Sequence, residues 1–498
     1  MPKPTNPDDK PYRTSDEAGA IPRREFLKAS AAAAGATLLS SCFGGGSGDG
    51  NDAPLLGGVE VDPLTRFDHL VVVMFENRSF DNLLGYLYSQ GPTPADWPPA
   101  VPVPRPLPPG QSFNGLFGKV RYSDDGSAKV YAHPHAFDPA SAKTTDWTHP
   151  DPDPAEGFGP TAAQMAGGAM TGFVEDYRKK HKDATPAQVD AVMGSYAPAH
   201  LTVLSGLAHK FAVFDQWYCA VPSETYCNRS FFHASTSSGF VENESKDKSK
   251  DRWKGNVAPT IFDRLDERSP NPGWKVYFEQ GNTAEDRRDH PHGLTGFIHP
   301  EVSRKHPQNF VDYTQFFTDV AQGKLPAYSF FERLYGGRDD FHPPGDVRNG
   351  EEVLRQVYEA IRTSGTTGPH DYTQDTLVLV VFDEHGGTYD HVAPPDQNVP
   401  APESPPVPGE YGYDFTSLGL RVPAIVISAY TPAGKVINTP MHHAAVIRTL
   451  CKKYALEPLT LRDQDPDGGD LGVALGLATP RAASTWPQFP HKVSPTPG

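Results

Sequence analysis

Two continuous apolar runs constrain the fold of this 498-residue chain more than any other feature. The first run, LVVVMF, forms the last six residues of the segment Phe67–Phe75, and the second run is Leu377–Phe382. Apolar runs of this length without alternating polar residues predict strands buried on both faces, which occur mainly in parallel sheets covered by helices. Apolar residues at helical spacing in Asn349–Thr363, shortly before the second run, predict one of these helices.

Further segments fit the same alternation of strands and helices. We predict strands over Ala208–Trp217 and Val422–Ser428, and helices over Met165–Lys182 and Met441–Tyr454. The 52 prolines and 46 glycines indicate long ordered loops between them. The predicted fold class is therefore α/β: a three-layer sandwich with a mostly parallel central sheet, helices on both faces and long loop or cap insertions.

The first 64 residues resemble an export signal followed by a tether. Arg23 and Arg24 precede the weakly apolar run Ala29–Leu39, as in a twin-arginine signal, and the letters LSSC up to Cys42 resemble a bacterial lipobox. This predicts cleavage before Cys42 and lipidation of its thiol, so that the protein is periplasmic or on the cell surface and anchored in a membrane; the alternative is an ordinary signal without lipid. We expect an export signal over 1–41, a flexible tether over 42–64, one domain over 65–480 and a tail over 481–498.

The charge balance of the chain is acidic. The formal net charge is −16 at pH 7. Binding to a phosphate backbone requires a basic surface, so the sequence argues against nucleic acid as a partner.

Both apolar strands are followed directly by acidic and amide residues. Glu76 and Asn77 follow the first, and Asp383 and Glu384 follow the second. Ligands of open α/β sheets bind outside the carboxyl ends of the strands, so we expect these side chains to meet at one edge. Carboxylates that converge repel one another unless a cation lies among them. Hard oxygen donors favour a divalent metal ion, Ca²⁺ first, then Mg²⁺ or Mn²⁺, and nearby histidines leave Zn²⁺ or Fe open.

A third polar segment, VPSETYCNR, supplies candidate hydroxyl groups. Ser223 and Thr225 could each act as a nucleophile beside a divalent metal ion. Arg229 could pair with a phosphate or with a carboxylate of the site. In an oxidising compartment Cys219 and Cys227 could form a disulfide, or both could be buried thiols.

With these segments the chain resembles the bacterial phosphoesterase family of non-specific phospholipases C and acid phosphatases, within the alkaline-phosphatase-like superfamily. The resemblance extends from Phe67 to Asp463. It rests on FDHLVVVMFENRSFDNLLG, TDWTHPDP, AGGAMTGFVEDY, FAVFDQWYCAVPSETYCNRSFFHASTSSG, FHPPGDVRNGEEVLRQVYEAI, VFDEHGGTYDHVAPP and LRVPAIVISAY, in that order.

The resemblance implies roles for individual residues. It makes Thr225 the nucleophile, because Thr225 stands three residues before the Asn-Arg pair of the family motif. The family usually has Gly-Pro before the nucleophile, where this chain has Ser223-Glu224, so Ser223 remains an alternative. Two pairs match the metal-binding residues of the family: Glu76 with Asn77, and Asp383 with Glu384. His149 and His342 match histidines that line the pocket and would act as acid and base, and Asn228 and Arg229 are the Asn-Arg pair.

Three further histidines have open roles. His385 and His391 are predicted either to support a carboxylate ligand or to bind substrate, as Asn228 would. His443 stands near a histidine of the family pattern, and its role is open.

The resemblance implies hydrolysis of phosphoric esters by a metal-activated Thr225, through a covalent phospho-threonine. Phospholipase C activity on phospholipids is the leading prediction, and a broad-specificity acid phosphatase is the alternative. A sulfatase is disfavoured because the segment lacks the Cys/Ser-x-Pro-x-Arg element. A non-catalytic lipoprotein that binds a ligand is the alternative from another class.

Overall fold

The computed structural model describes residues 61–244, 252–281, 290–334 and 339–489. The predicted export signal, Cys42 and most of the predicted tether lie outside these residues. The strands, in chain order, are β1 His69–Phe75, β2 Tyr122–Asp124, β3 Lys129–Tyr131, β4 His133–Pro134, β5 Gly194–Ser195, β6 Ala212–Phe214, β7 Trp217–Tyr218, β8 Trp274–Phe278, β9 Phe310–Asp312, β10 Tyr328–Glu332, β11 Thr376–Phe382, β12 Ala424–Ile427, β13 Lys435–Ile437 and β14 Met441–His442.

Helices connect and cover these strands. In chain order they are α1 Phe80–Leu84, α2 Phe158–Met165, α3 Phe173–Lys180, α4 Pro186–Val192, α5 Thr202–Lys210, α6 Thr225–Ala234, α7 Ile261–Glu267, α8 Gly293–Ile298, α9 Pro300–Lys305, α10 Thr314–Ala321, α11 Val347–Thr367, α12 Ala445–Tyr454 and α13 Leu461–Gln464. Among the described residues, no helix is both long and apolar enough to cross a membrane.

The main sheet of the described chain has eight strands in the order β13-β6-β12-β11-β1-β10-β8-β9. Every neighbouring pair is parallel except the two pairs that include β12, which runs antiparallel to β11 and β6. Successive residues of a strand point to opposite faces, and every residue of β11 is buried. The sheet is therefore covered on both sides at its centre, which confirms the predicted α/β class with a mostly parallel sheet.

The reversed strand β12 decides which residues reach the edge where β1 and β11 end. Its first residue Ala424 pairs with Val381, near the end of β11. The residues just before β12 therefore lie at this edge, as do those that follow β6. We call it the catalytic edge, because the site described below lies there.

Three predicted elements differ from the structure. Ala208–Trp217 is not one strand: it contains the end of helix α5, which stops at Lys210, and then β6 and β7. Met165–Lys182 is divided between α2 and α3, because Gly167 and Gly168 have φ angles of 65° and 93°, which are incompatible with an α-helix. Met441–Tyr454 begins with β14, and its helix starts only at Ala445.

The first part of the predicted tail packs on the domain. Trp486 is buried and stacks on Tyr358 of α11, with 6.0 Å between ring centroids. The Tyr358 hydroxyl donates a hydrogen bond of 2.6 Å to the carbonyl oxygen of Pro487.

Candidate active site

The register of β1 against β11 brings the two polar strand ends together. Phe75 pairs with Phe382, so Glu76 and Asp383 leave the sheet side by side. The Asn77 amide donates to Asp383 Oδ1 at 3.1 Å, and the Asp383 amide donates to the Phe75 carbonyl oxygen at 3.1 Å. The structure therefore places the four predicted metal-binding residues, Glu76, Asn77, Asp383 and Glu384, at one place.

The turn that follows Asp383 is possible only with a glycine at its centre. Gly386 has φ of 60°, and a Cβ atom on it would lie 2.0 Å from the carbonyl oxygen of Asn77. Asn77 is itself in the left-handed region, with φ of 56°. The two loops thus approach each other more closely than any side chain at 386 would permit, and the Gly386 amide donates to Glu384 Oε2 at 2.6 Å.

Arg229 holds three carboxylates together below this turn. Its Nη2 donates to Glu76 Oε1 at 2.9 Å, its Nε to Asp383 Oδ2 at 3.0 Å and its Nη1 to Glu332 Oε2 at 3.3 Å. The side chain of Arg229 is only 1% exposed. Of the two partners left open by the sequence, the structure therefore pairs Arg229 with carboxylates, and the arginine keeps the ends of β1, β10 and β11 in position.

The candidate nucleophile begins the helix that carries Arg229. Thr225 is the first residue of α6 and lies one turn before Arg229, so the two share a helix face. Both candidate hydroxyl residues are buried, and Ser223 Oγ has no hydrogen-bond partner in the described part of the chain. The side chain of Asn228 bonds to its own loop: its amide nitrogen donates to the carbonyl oxygens of Ser223 at 2.8 Å and of Glu224 at 3.1 Å. It therefore fixes the loop that presents the hydroxyls.

Acidic residues that sequence reasoning missed surround the four predicted ligands. Potential ligand atoms of Asp153, Glu156 and His342 lie within 4.8 Å of one another, and Asn77 Nδ2 donates to Glu156. Asp340 accepts from the Glu76 amide with its carbonyl oxygen at 3.0 Å. These acids stand in the proline-rich and polar stretches DPDPAEG and RDDFH, where acidic residues ordinarily belong to turns; only their nearness to the candidate His149 and His342 could have singled them out.

Burial of so many acids shifts their titration. Burial raises the pKa of Glu384 well above its usual value, and the neighbouring Glu156 and Asp383 raise it further. Burial likewise raises the pKa of Glu76, against the lowering effect of Arg229. It raises the pKa of Asp340 to about 6. Such a cluster requires protons or a cation to be stable.

Unpartnered oxygens at the same place fit a metal ion. Glu76 Oε2, Asn77 Oδ1, Asp340 Oδ2 and Glu384 Oε1 are buried without a hydrogen-bond partner among the described residues. Each belongs to a side chain that is at most 1% exposed. Orphaned buried acceptors of this type, all of them hard oxygens, are the donor set that Ca²⁺, Mg²⁺ or Mn²⁺ takes, so the residues present fit the predicted divalent ion.

Two histidines singled out in the sequence lie beside Asp383 and Glu384. His385 Nδ1 lies 3.3 Å from Glu384 Oε2, and its Nε2 lies 2.7 Å from Gln164 Oε1. His443 Nε2 donates to the carbonyl oxygen of Asp383 at 2.7 Å. Because that oxygen only accepts, His443 Nδ1 is the lone-pair nitrogen, and it accepts from Trp217 Nε1 at 3.2 Å. His443 thus fixes the backbone at Asp383, and the ring of His385 is held by Gln164 next to Glu384.

The two candidate acid–base histidines have different surroundings. His342 is half-buried beside Asp153 and Glu156, with its Nδ1 2.6 Å from the Pro343 carbonyl oxygen. The ring of His149 lies 5.0 Å from that of His135. Burial lowers the pKa of His149. His342 is thus grouped with acidic side chains, whereas the ring of His149 lies next to another histidine.

His391 belongs to a second ion cluster built on Arg421. Arg421 is fully buried and donates to Asp390 Oδ1 and to Asp81 Oδ1, each at 3.0 Å. Its Nη1 donates to the carbonyl oxygens of Asn114 and Asp215. His391 Nδ1 bonds the other oxygen of Asp81 at 2.5 Å. This cluster joins the segment after Asn77 to the segment after Glu384. Sequence reasoning did not single out Arg421, because its only mark in the sequence is a charge directly before the strand VPAIVIS.

The cysteines near the site are thiols. Cys219 and Cys227 are buried and unbonded to each other, so the disulfide alternative is wrong. Cys227 Sγ donates to the Glu224 carbonyl oxygen at 3.0 Å. Burial raises the pKa of both thiols well above the ordinary value, which makes them inert.

Comparison with known proteins identifies the class of protein to which this chain belongs. The sequence model of the Phosphoesterase family matches residues 67–457. The chain is 31% identical to non-specific phospholipase C1 of Arabidopsis thaliana over 79% of this chain and 68% of that protein. It is 25% identical to the non-hemolytic phospholipase C of Pseudomonas aeruginosa over 94% of this chain and 65% of that protein. It is 23% identical to phospholipase C B of Mycobacterium tuberculosis over 92% and 86%. Among solved structures, the phosphonate monoester hydrolase of Agrobacterium radiobacter is similar with a TM-score of 0.30 and 12% identity, over 55% of this chain and 72% of that one.

The protein defined by this fold and site is a phosphoric ester hydrolase. The chain belongs to the Phosphoesterase family.

Proposed function

We propose that the chain is a metal-dependent phospholipase C that works through a covalent intermediate on Thr225. The names of its relatives support the substrate class. The single observation that carries the mechanism is the position of Thr225. It lies one helical turn from Arg229, whose guanidinium touches both Glu76 and Asp383.

Glu76, Asn77, Asp383 and Glu384 would hold the divalent ion, since they follow two adjacent strands at one edge of the sheet. Three of their oxygens, Glu76 Oε2, Asn77 Oδ1 and Glu384 Oε1, lack a partner in the described chain. When bound, such an ion supplies Lewis-acid stabilisation of phosphoryl charge and a lower pKa for a neighbouring hydroxyl. The amino end of helix α6, which is ten residues long, adds the positive end of a helix dipole beside Thr225.

The chain's own residues then perform two displacements. Thr225 releases its hydroxyl proton to solvent as Oγ1 forms a bond to phosphorus and the bond from phosphorus to the diacylglycerol oxygen breaks, and protonated His342 gives that oxygen a proton. A water molecule next forms the new bond to phosphorus and gives a proton to His342, while the Thr225 ester breaks and its oxygen takes a proton back from solvent. His149 is the second candidate for this exchange. Arg229, held by three carboxylates, keeps Thr225 in place.

Hydrolysis of two chromogenic substrates tests the substrate class. A phosphocholine diester should be cleaved faster than a phosphate monoester, and a chelator should abolish both activities until the metal ion is restored. Faster cleavage of the monoester would make the protein an acid phosphatase, which is the alternative prediction. No cleavage of either substrate in the presence of metal would refute the enzymatic proposal.

Two matched variants test the nucleophile. Thr225→Ala should abolish turnover and Ser223→Ala should retain it, although both hydroxyls are buried on the same loop and helix start. Acid quenching during turnover should trap the phosphoryl headgroup on Thr225, detectable by mass spectrometry of the peptide. The reverse pattern, with Ser223 essential and labelled, would overturn the assignment.

We also propose that the protein is exported and lipid-anchored, on the sequence pattern of Arg23-Arg24 and Cys42. In a bacterial host with a twin-arginine system, Cys42→Ser should move the protein from the membrane fraction to the soluble exported fraction. Replacement of both arginines by lysine should keep it inside the cell. Unchanged fractionation of both variants would contradict the proposal.

A further inference from the structure

A cluster of metal-ligating side chains lies at the edge of the sheet opposite the catalytic edge. Potential ligand atoms of His69, His370 and Asp375 lie within 4.8 Å of one another. His69 is the first residue of β1, and Asp375 directly precedes β11. Six residue steps of strand separate His69 from Phe75, so this cluster is about 20 Å from the catalytic carboxylates.

The hydrogen bond of His69 prepares its ring for a metal ion. His69 Nδ1 lies 2.9 Å from the carbonyl oxygen of Pro326. A carbonyl oxygen only accepts, so Nδ1 carries the proton and Nε2 presents a lone pair. This is the arrangement of most metal-bound histidines, in which the second nitrogen donates to a carbonyl or carboxylate that fixes the ring.

The other two side chains complete a mixed nitrogen and oxygen donor set. His370 Nε2 lies 2.8 Å from Asp375 Oδ2, and Asp375 Oδ1 is buried without a hydrogen-bond partner among the described residues. Tyr372 packs on both histidines, with ring centroids 5.0 Å from His69 and 4.4 Å from His370. The aromatic ring limits the rotation of both imidazoles, so the three donors are already close to a common centre.

We propose that His69, His370 and Asp375 form a second metal site, which binds a borderline transition-metal dication such as Zn²⁺. Two imidazoles and one carboxylate, with water as the fourth ligand, suit Zn²⁺ better than the hard cations expected at the catalytic edge. The dication replaces the proton shared by His370 and Asp375, and that proton is released to solvent. The bound ion would connect the amino ends of β1 and β11, whose carboxyl ends carry the catalytic acids.

A matched pair of histidines provides the control. His306 Nε2 lies 3.0 Å from Asp266 Oδ2, and the side chain of His306 is 29% exposed, against 42% for His370. This second pair is therefore similar to the pair of His370 with Asp375, except that no third ligand is grouped with it among the described residues. His370→Gln and His306→Gln thus remove comparable ion pairs, only one of which belongs to the proposed site.

Zn²⁺ binding to the whole protein tests the proposal. With Ca²⁺ in excess to occupy the catalytic edge, calorimetric titration should show that the wild type and His306→Gln bind one more equivalent of Zn²⁺ than His370→Gln. Zn²⁺ should raise the Tm of the first two proteins and not that of His370→Gln or His69→Gln. Diester hydrolysis should be equal in all four, because none of these residues belongs to the catalytic machinery. The proposal would be overturned if the wild type and His370→Gln showed equal Zn²⁺ stoichiometry and equal Tm shifts. It would also be overturned if His306→Gln lost as much Zn²⁺ binding as His370→Gln. The metal readouts do not depend on whether the protein proves to be a phospholipase.

Discussion

Removal of the buried guanidinium of Arg421 should strongly destabilise the fold. In Arg421→Met, Asp81 and Asp390 lose the cation that each contacts at 3.0 Å, and the carbonyl oxygens of Asn114 and Asp215 lose their shared donor. Removing one partner of a buried ion pair costs about 3–5 kcal/mol, because the other charge remains buried. A domain is usually stable by about 5–15 kcal/mol in total, so a large part of the free energy of unfolding would be lost.

Urea unfolding followed by tryptophan fluorescence at pH 8 measures this loss. The control is Arg304→Met, which removes an arginine whose side chain is 69% exposed and paired with Glu301. An exposed pair contributes about 0–1 kcal/mol, so the control should unfold close to the wild type. If Arg421→Met and Arg304→Met lie within about 1 kcal/mol of each other, the cluster does not stabilise the protein as argued.

The pH dependence of the Arg421→Met deficit provides a second check. Burial raises the pKa of Asp390 to about 6, although Arg421 lowers it. Without Arg421 this pKa should rise further, so at pH 5 the Asp390 carboxyl group is neutral in the folded variant. Only Asp81, which still contacts His391, then lacks the charge of the arginine. The loss of stability should therefore be smaller at pH 5 than at pH 8. An equal loss at both values would contradict the electrostatic explanation.

Three other changes have defined outcomes. Gly386→Ala should lower kcat/KM by about 100-fold, because the new Cβ atom would meet the Asn77 carbonyl oxygen at 2.0 Å and displace the ligands by about 1 Å; unchanged kinetics would show that the turn adapts. Burial raises the pKa of Glu351 from 4.5 to about 7, so the folded state binds the extra proton and stability should fall by up to about 3 kcal/mol as the pH rises between these values. Urea unfolding of Glu351→Gln should lack that slope, and a slope equal to that of the wild type would refute the assignment. A reductant should leave the Tm unchanged, because Cys219 and Cys227 are thiols, and a lowered Tm would indicate a disulfide.

The elements that sequence reasoning placed correctly are those whose pattern is local. The observed strand β11 coincides within one residue with the predicted Leu377–Phe382. The helix after Asp346 was predicted over Asn349–Thr363 and extends over Val347–Thr367, since helix ends depend on capping more than on periodicity. Two of the predictions that failed have different causes. Ala208–Trp217 is an apolar segment too short for burial to distinguish helix from strand, and Met165–Lys182 is interrupted by Gly167 and Gly168.

The candidate site shows the same division. Glu76 and Asp383 could be predicted because each directly follows a buried strand, and parallel strands end at one edge. Glu332 also follows this rule, as the last residue of β10, but the letters YSFFE gave it no amide or glycine neighbours to mark it. Asp153 and Glu156 reach the site from a loop, and a loop has no period from which its path can be derived.

The sequence by itself determined the class of fold, the edge of the sheet at which the candidate site lies and the two polar pairs, Glu76-Asn77 and Asp383-Glu384, that meet there. It did so because buried strands carry an unbroken apolar signal and hold their own ends in fixed positions. Only the tertiary structure decided that Arg229 pairs with carboxylates, that Arg421 joins the segments after Asn77 and Glu384, and that His69 approaches His370. These contacts join residues from about 30 to more than 300 positions apart. Which buried charges become neighbours depends on the order of the strands in the sheet, and no local sequence pattern contains that order.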